Sequence, residues 1–254
     1  MTLELALIQH DIVWEDAERT IAAVRPLVLD AAEQGANLIS LTEMWSSGFS
    51  MNTERVAEPS DGPTASAMHT LAAETGAWIA GTFPERQRDG SRPTNRFLLA
   101  GPQGQDHRYS KTKPFSFANE DQHYASGQPI EPVTVHGIRI SPFICYDLRF
   151  ADLFWNAAIE TDLFLIPANW PATRYHHWRS LLLARAIENQ TFVAGVNRVG
   201  TGGGLDYRGD TMIIDPLGEV LAQGAPGETA TVRATINAET VAAVRLQFPF
   251  LNDR

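Results

Sequence analysis

Three residues far apart along this chain, Glu43, Lys111 and Cys145, carry side chains that together make a complete acyl-transfer set. Cys145 is the only cysteine among 254 residues. A thiol becomes a strong nucleophile as the thiolate, which a nearby base or positive charge promotes. A carboxylate can be that base if desolvation or its neighbours raise its proton affinity. A lysine beside both offers positive charge for the thiolate and for a tetrahedral oxyanion. Each residue also has an ordinary meaning: a small buried hydrophobe, a solvated loop acid, a surface amine. The chemistry follows only if the surrounding elements bring the three to one place.

Each of the three follows an extended segment. Residues 137–144 alternate and then turn apolar, as a strand entering a core does, and the chain turns polar and then helical after Cys145. Cys145 is therefore expected where a strand ends, at the carboxyl edge of a sheet, where open α/β folds bind ligands. Residues 37–41 form a short apolar strand that delivers Glu43, and a polar, aromatic stretch over 107–115 carries Lys111. Further strands are expected at 3–9, 78–83, 95–100, 163–168, 191–197, 211–215, 219–222 and 230–236. Helical spacing of Ile21, Val24, Val28, Leu29 and Ala32 predicts a first helix, which Pro26 is expected to kink or split. A second opens near Pro63 and closes at Gly76, and others follow Cys145, His176-His177 and Glu239. Residues 116–127, with Glu120, His123 and Tyr124, read as a long loop, and Gly200-Thr201-Gly202-Gly203-Gly204 as a flexible one. The order of elements suits a single domain over 1–254 of the α/β class, a four-layer αββα sandwich. A doubly wound single sheet fits the pattern nearly as well.

Composition narrows the classes of function. With 44% hydrophobic and 20% charged residues, the chain has material for a globular core. A formal charge of -10 argues against nucleic acid and anionic membrane surfaces as partners. No apolar run approaches the roughly 20 residues a membrane span needs, and the amino terminus lacks a basic signal-peptide region. A single cysteine rules out an internal disulfide and a cysteine-rich metal site, which makes a reducing cytoplasm the default setting. His176-His177 is a poor metal pair, since adjacent helical residues face different ways. Gly202-Gly203-Gly204 lacks the Lys-Ser or Lys-Thr of a phosphate cradle.

Glu43, Lys111 and Cys145 in that order resemble the nitrilase superfamily of carbon–nitrogen hydrolases. Ile144-Cys145-Tyr146-Asp147-Leu148-Arg149-Phe150 matches its nucleophile motif residue for residue. Leu41-Thr42-Glu43-Met44 is similar to its glutamate motif, with Thr42 where proline is usual, and the lysine motif departs at Lys113, where histidine is common. Asn169-Trp170-Pro171, residues 43–51, 184–190 and 197–200, and Tyr207-Arg208-Gly209-Asp210 resemble the bacterial omega-amidase branch.

The resemblance implies a nitrilase-type αββα fold, usually dimeric, and hydrolysis of a small amide by water without metal or organic cofactor. It implies Glu43 as the base and Cys145 as the thioester-forming nucleophile. Lys111 and the backbone N–H of Tyr146 would hold the oxyanion, and Glu120 would be the second glutamate that supports the lysine. An omega-amidase would take the terminal amide of a 2-oxo acid such as 2-oxoglutaramate or 2-oxosuccinamate. Arg174 is then the candidate for its distal carboxylate, with Trp45, Phe115, Tyr124 and Trp170 as pocket walls or core. Asp147 and Arg149 are expected to brace the turn after Cys145, and Arg185 to pair with Glu188. An N-carbamoyl-amino-acid hydrolase, an aliphatic amidase, a nitrilase and a non-catalytic interaction protein on the same scaffold are the competing readings.

Overall fold

Along β1 (Thr2–Gln9) side chains alternate between two apolar cores: Leu3, Leu5 and Leu7 enter one, Ala6 and Ile8 the other. A strand buried on both faces requires a layer on each side. The computed structural model, which describes residues 2–129 and 131–253, supplies those layers with two six-stranded sheets. In the first sheet, β1 lies between antiparallel β14 (Ala230–Asn237) and parallel β2 (Leu38–Ser40). Next to β2 come parallel β3 (Trp78–Glu85) and antiparallel β4 (Thr94–Ala100), and β5 (Asp106–Ser110) closes the sheet by pairing antiparallel with β4. In the second sheet, β7 (Ile138–Pro142), β8 (Leu163–Ala168) and β9 (Phe192–Asn197) run parallel. Antiparallel β6 (Val133–Val135) flanks them on one side, and β12 (Met212–Ile214) with β13 (Val220–Gln223) on the other.

Helices α1 (Ala17–Glu33) and α3 (Pro63–Thr75) cover the outer face of the first sheet, packing Val24, Val28, Met68 and Leu71 with Ile8, Ile39, Ile79 and Leu98. The larger core lies between the sheets and continues through the second one. There Leu153 and Phe154 of α5 (Ala151–Ala157) and Trp178 and Leu182 of α6 (Tyr175–Asn189) pack onto it. The layers therefore run helix, sheet, sheet, helix, which decides the architecture in favour of the αββα sandwich over the single doubly wound sheet. Two short helices, α2 (Thr53–Val56) and α4 (Glu120–His123), lie in connections, and α7 (Ala238–Gln247) follows β14.

Three local expectations change. Helix α1 is one uninterrupted segment, because Pro26 sits on its solvent side, where water can take the carbonyl that loses its donor. Residues 116–127 are not a bare loop: a 3-10 turn, Ser116–Ala118, leads into α4, with Asn119 in the left-handed region at φ 59 between them. The glycine-rich stretch is a hairpin of β10 (Val199–Gly202) and β11 (Leu205–Arg208). Its turn uses the left-handed φ of Gly203 and Gly204, so glycine here specifies a tight connection rather than looseness.

Candidate active site

Strands β2 and β5 point the same way in the first sheet, as do β7 and β8 in the second, and the four carboxyl ends meet at one rim. Glu43 lies just beyond β2, where Leu41 and Trp45 still donate backbone hydrogen bonds to Ala80 and Thr82 of β3. Met44 turns the chain there with φ 39, and the Thr82 hydroxyl accepts its N–H at 2.7 Å. Lys111 directly follows β5 and donates its backbone N–H to the Asn95 carbonyl of β4. Its ammonium donates to Glu43 Oε1 at 2.8 Å and to Glu120 Oε2 at 2.9 Å. The amide of Asn95 ties the two acids together, donating to Glu43 Oε1 at 2.8 Å and Glu120 Oε1 at 3.3 Å, and is itself oriented by the Thr82 hydroxyl. Glu43 Oε2 accepts the backbone N–H of Asn169, just past β8.

All three charged groups are at most 1% exposed. Burial alone would lower the Lys111 pKa, but the carboxylates of Glu120 and Glu43 outweigh it and raise it, so the amine stays an ammonium. Burial and the like charge of Glu43 push Glu120 up, against the pull of Lys111 and the Phe115 N–H that its carboxylate accepts. Burial, followed by the negative charge of Glu43, raises the Cys145 thiol well above its ordinary value; Lys111 and the Asn169 N–H act the other way. The resting sulfur is therefore a thiol rather than a thiolate. The same fields place Glu43, Lys111 and Cys145 in one buried cluster.

Cys145 has φ 43, a left-handed value that costs energy for any residue with a side chain. Asp147 holds the turn in place. Its carboxylate accepts from Ile144 N, Lys113 N and the Tyr109 hydroxyl at 2.7–2.9 Å, and its pKa is pushed up to about 6 by burial in spite of those donors. Arg185 braces the turn from behind, donating to the Leu148 carbonyl at 2.8 and 3.1 Å while pairing with Glu188 at 2.7 Å. Lys113, at the position where histidine is common, contributes that backbone N–H and sets its ammonium 4.9 Å from the Phe150 ring centre.

Cys145 opens into a cavity of about 270 Å³, at the small end of ligand pockets. Phe115, Tyr146, Trp170 and Arg174 line it. Trp45 and Tyr124 do not. Trp45 is fully buried in the core beneath α1 and α3, packed against Gly81, and Tyr124 is buried with its hydroxyl donating to the Ser50 carbonyl. Trp45 turns into the layer under the helices, whereas Tyr124 stays close to the acid cluster, where burial and the charges of Glu120 and Glu43 raise the pKa of its hydroxyl. Arg149 reaches the cavity, with its guanidinium 4.8 Å from the Trp170 ring centre and a hydrogen bond to His177 at 3.1 Å. The sequence reading missed Asn95, whose only signal was an amide near the start of a strand, and Trp14, Phe49, Met51 and Tyr207, which reach the wall from three separate segments.

A cysteine on a strained turn, beside a buried acid–lysine–acid cluster at the mouth of an αββα sandwich, defines a class. The chain belongs to the carbon–nitrogen hydrolase family, whose model matches residues 4–246, and it is a hydrolase of carbon–nitrogen bonds in the omega-amidase branch of the nitrilase superfamily. It is 41% identical to the omega-amidase YafV of Yersinia enterocolitica over 253 residues, covering 99% of this chain and 96% of the relative. It is 31% identical to the 2-oxoglutaramate amidase of Bacillus subtilis over 257 residues, covering 100% and 98%. Among solved structures, XC1258 of Xanthomonas campestris, a CN-hydrolase superfamily protein with an arsenic adduct in its active site, superposes with a TM-score of 0.94 at 37% identity. That match covers 100% of this chain and 97% of the other.

Proposed function

We propose that this amidohydrolase cleaves the terminal amide of a small 2-oxo acid, such as 2-oxoglutaramate or 2-oxosuccinamate, through a thioester on Cys145. The observation that carries the substrate class is a pair of guanidiniums, Arg149 and Arg174, on the wall of the cavity that holds Cys145. Among the described residues neither pairs with a carboxylate; Arg149 lies against Trp170 and Arg174 5.6 Å from the Phe115 ring centre. Two cations without counter-charge, in a protein of net charge -10, suit an anionic group on the substrate. The relatives named for omega-amidase and 2-oxoglutaramate amidase activity support the same reading.

In the reaction, Glu43 takes the Cys145 proton as sulfur bonds to the amide carbon. Lys111 and the backbone N–H of Tyr146 hold the oxyanion. Collapse breaks the carbon–nitrogen bond, and Glu43 passes its proton to the departing ammonia. Water, deprotonated by Glu43, then displaces sulfur and releases the dicarboxylate. Glu120 and Asn95 act as positioning residues that fix Lys111 against Glu43. The whole of 1–254 serves as one domain, working as a homodimer through the face of α5 and α6, and a thiol nucleophile suits a reducing cytoplasm.

Ammonia release measured on 2-oxoglutaramate, 2-oxosuccinamate, glutamine, asparagine, an N-carbamoyl amino acid and an aliphatic nitrile tests the substrate. The oxo-acid amides should give the highest kcat/KM. Preference for glutamine, the carbamoyl compound or the nitrile would reject the assignment. Cys145→Ala should lower kcat by ~10⁴-fold or more, and Glu43→Gln by ~10²–10⁴-fold. Arg149→Met and Arg174→Met should raise KM for 2-oxoglutaramate while leaving KM for a neutral amide of the same length in place.

A further inference from the structure

Trp14 belongs to none of the motifs of the reaction, yet its half-buried indole forms part of the cavity wall. Its six-membered ring is fitted against three glycines from two distant segments. A methyl group added at Gly48 or Gly202 would come within 2.9 Å of Cε3, and one at Gly203 within 2.8 Å of Cη2. Such approaches are closer than packed carbons tolerate, so only glycine at these positions leaves room for the ring. The backbone that aims it is equally constrained. Glu15, the next residue, has φ 55, and its N–H donates to the Ser47 carbonyl at 2.8 Å. Behind the ring, buried Arg198 ties the two segments together, donating to Asp11 Oδ1, the Ile12 carbonyl and the Thr201 carbonyl at 2.7–3.3 Å. A left-handed residue and a buried arginine spent on fixing one aromatic ring indicate that its position matters.

We propose that Trp14, seated on Gly48, Gly202 and Gly203, is a specificity-determining residue that limits the acyl part of the substrate to a short, unbranched chain. β9, which leads into the hairpin carrying Gly202 and Gly203, is two strands from β7, which ends at Cys145, a separation of roughly 10 Å. The indole lies on the wall of the same cavity as Cys145, Arg149 and Arg174, so a chain running from the sulfur to those guanidiniums would share that space with it. A longer chain would have to bow into the ring, and a branched one would collide with it. The inference rests on the amide reading for its natural substrate, but the steric limit is a property of the cavity itself.

Cys145 is the only thiol, so its labelling by maleimides is read without ambiguity by intact-protein mass spectrometry. Wild type should react faster with N-methylmaleimide than with N-cyclohexylmaleimide. Trp14→Ala should narrow that ratio by about tenfold or more, and Trp14→Phe by less. Gly202→Ala, whose methyl would meet the Arg198 guanidinium at 2.5 Å and the ring at 2.9 Å, should displace the ring and shift the ratio. In parallel, Trp14→Ala should raise kcat/KM for a six-carbon or branched oxo-acid amide relative to the five-carbon one. If Trp14→Ala does not fold, the Trp14→Phe and Gly202→Ala ratios decide. Ratios unchanged in folded variants would overturn the role of Trp14. A wild type that shows the expected maleimide selectivity but releases no ammonia from oxo-acid amides would instead sink the substrate assignment and leave the steric role standing.

Discussion

A lysine between two glutamates with no access to water is expensive to build, since each charge loses its hydration and only partly regains it from its neighbours. Lys111, Glu43 and Glu120 satisfy one another through Asn95 and the Asn169 and Phe115 N–H groups, so the cluster is fixed before substrate arrives. Thr42, where the family usually has proline, extends this order outward by meeting His10 Nε2 at 3.2 Å, while His10 Nδ1 donates to the Asp11 carbonyl at 2.8 Å. Burial, aided by the nearby Arg198 charge, pulls the imidazole from 6.5 down to about 4. The folded state thus resists protonation that the unfolded chain accepts. The stability this supports is complete above pH 6.5 and is lost as the pH falls through 4, a loss of about 3 kcal/mol. Urea titrations at pH 7 and pH 4 should show the difference in unfolding free energy shrinking by about that amount in His10→Gln. An equal acid loss in wild type and variant would contradict it.

At the scale of elements, the site depends on strands that stop where a polar residue follows and on turns that tolerate left-handed backbone. Met44 and Cys145, at φ 39 and 43, mark the two ends where the sheets face each other. Those ends keep their places only if the helices hold the sheets rigidly. Gly195 of β9 shows how close that fit is: a methyl group there would meet Leu182 Cδ1 at 2.6 Å and Trp178 Cζ2 at 2.8 Å, both on α6. Gly195→Ala should therefore destabilise the protein by ~1–3 kcal/mol through overpacking, read from the midpoint of chemical denaturation. No change in midpoint would mean that α6 can shift away at no cost. Strand periodicity made most of these elements legible, because alternation such as Leu3, Leu5, Leu7 against Ala6, Ile8 follows from the pleat alone. The hairpin over β10 and β11 was not legible, since four glycines erase the alternation that would reveal a strand.

Across the whole molecule, negative charge dominates, yet Arg149 and Arg174 lie without carboxylate partners among the described residues at the one cavity that reaches Cys145. Among the described residues no helix is long and apolar enough to cross a membrane. In the helical layer over the second sheet, Trp155 of α5, Ile159 of the turn after it and Ile187 of α6 are 37%, 52% and 55% exposed. Apolar groups clustered on one face favour association with another copy. Sedimentation velocity at micromolar concentration should show a species of twice the chain mass, and Ile187→Glu should convert it to single chains. A wild type that sediments as a single chain would remove the dimer from the proposal.

The residue types and their order along the chain already determined that Glu43, Lys111 and Cys145 could perform acyl transfer, because each follows an extended segment, apolar before Glu43 and Cys145 and polar and aromatic before Lys111, and strands end at the edge of a sheet. They also determined the α/β class, through the pleat and the helical repeat, but left two stacked sheets and one doubly wound sheet both open. Only the tertiary structure decided that the four strand ends share one rim, that Lys111 is buried between two acids, and that Arg149 and Trp14 face the cavity while Trp45 turns into the core. Those outcomes depend on how two sheets are stacked and how single residues twist the backbone, and a linear pattern records neither.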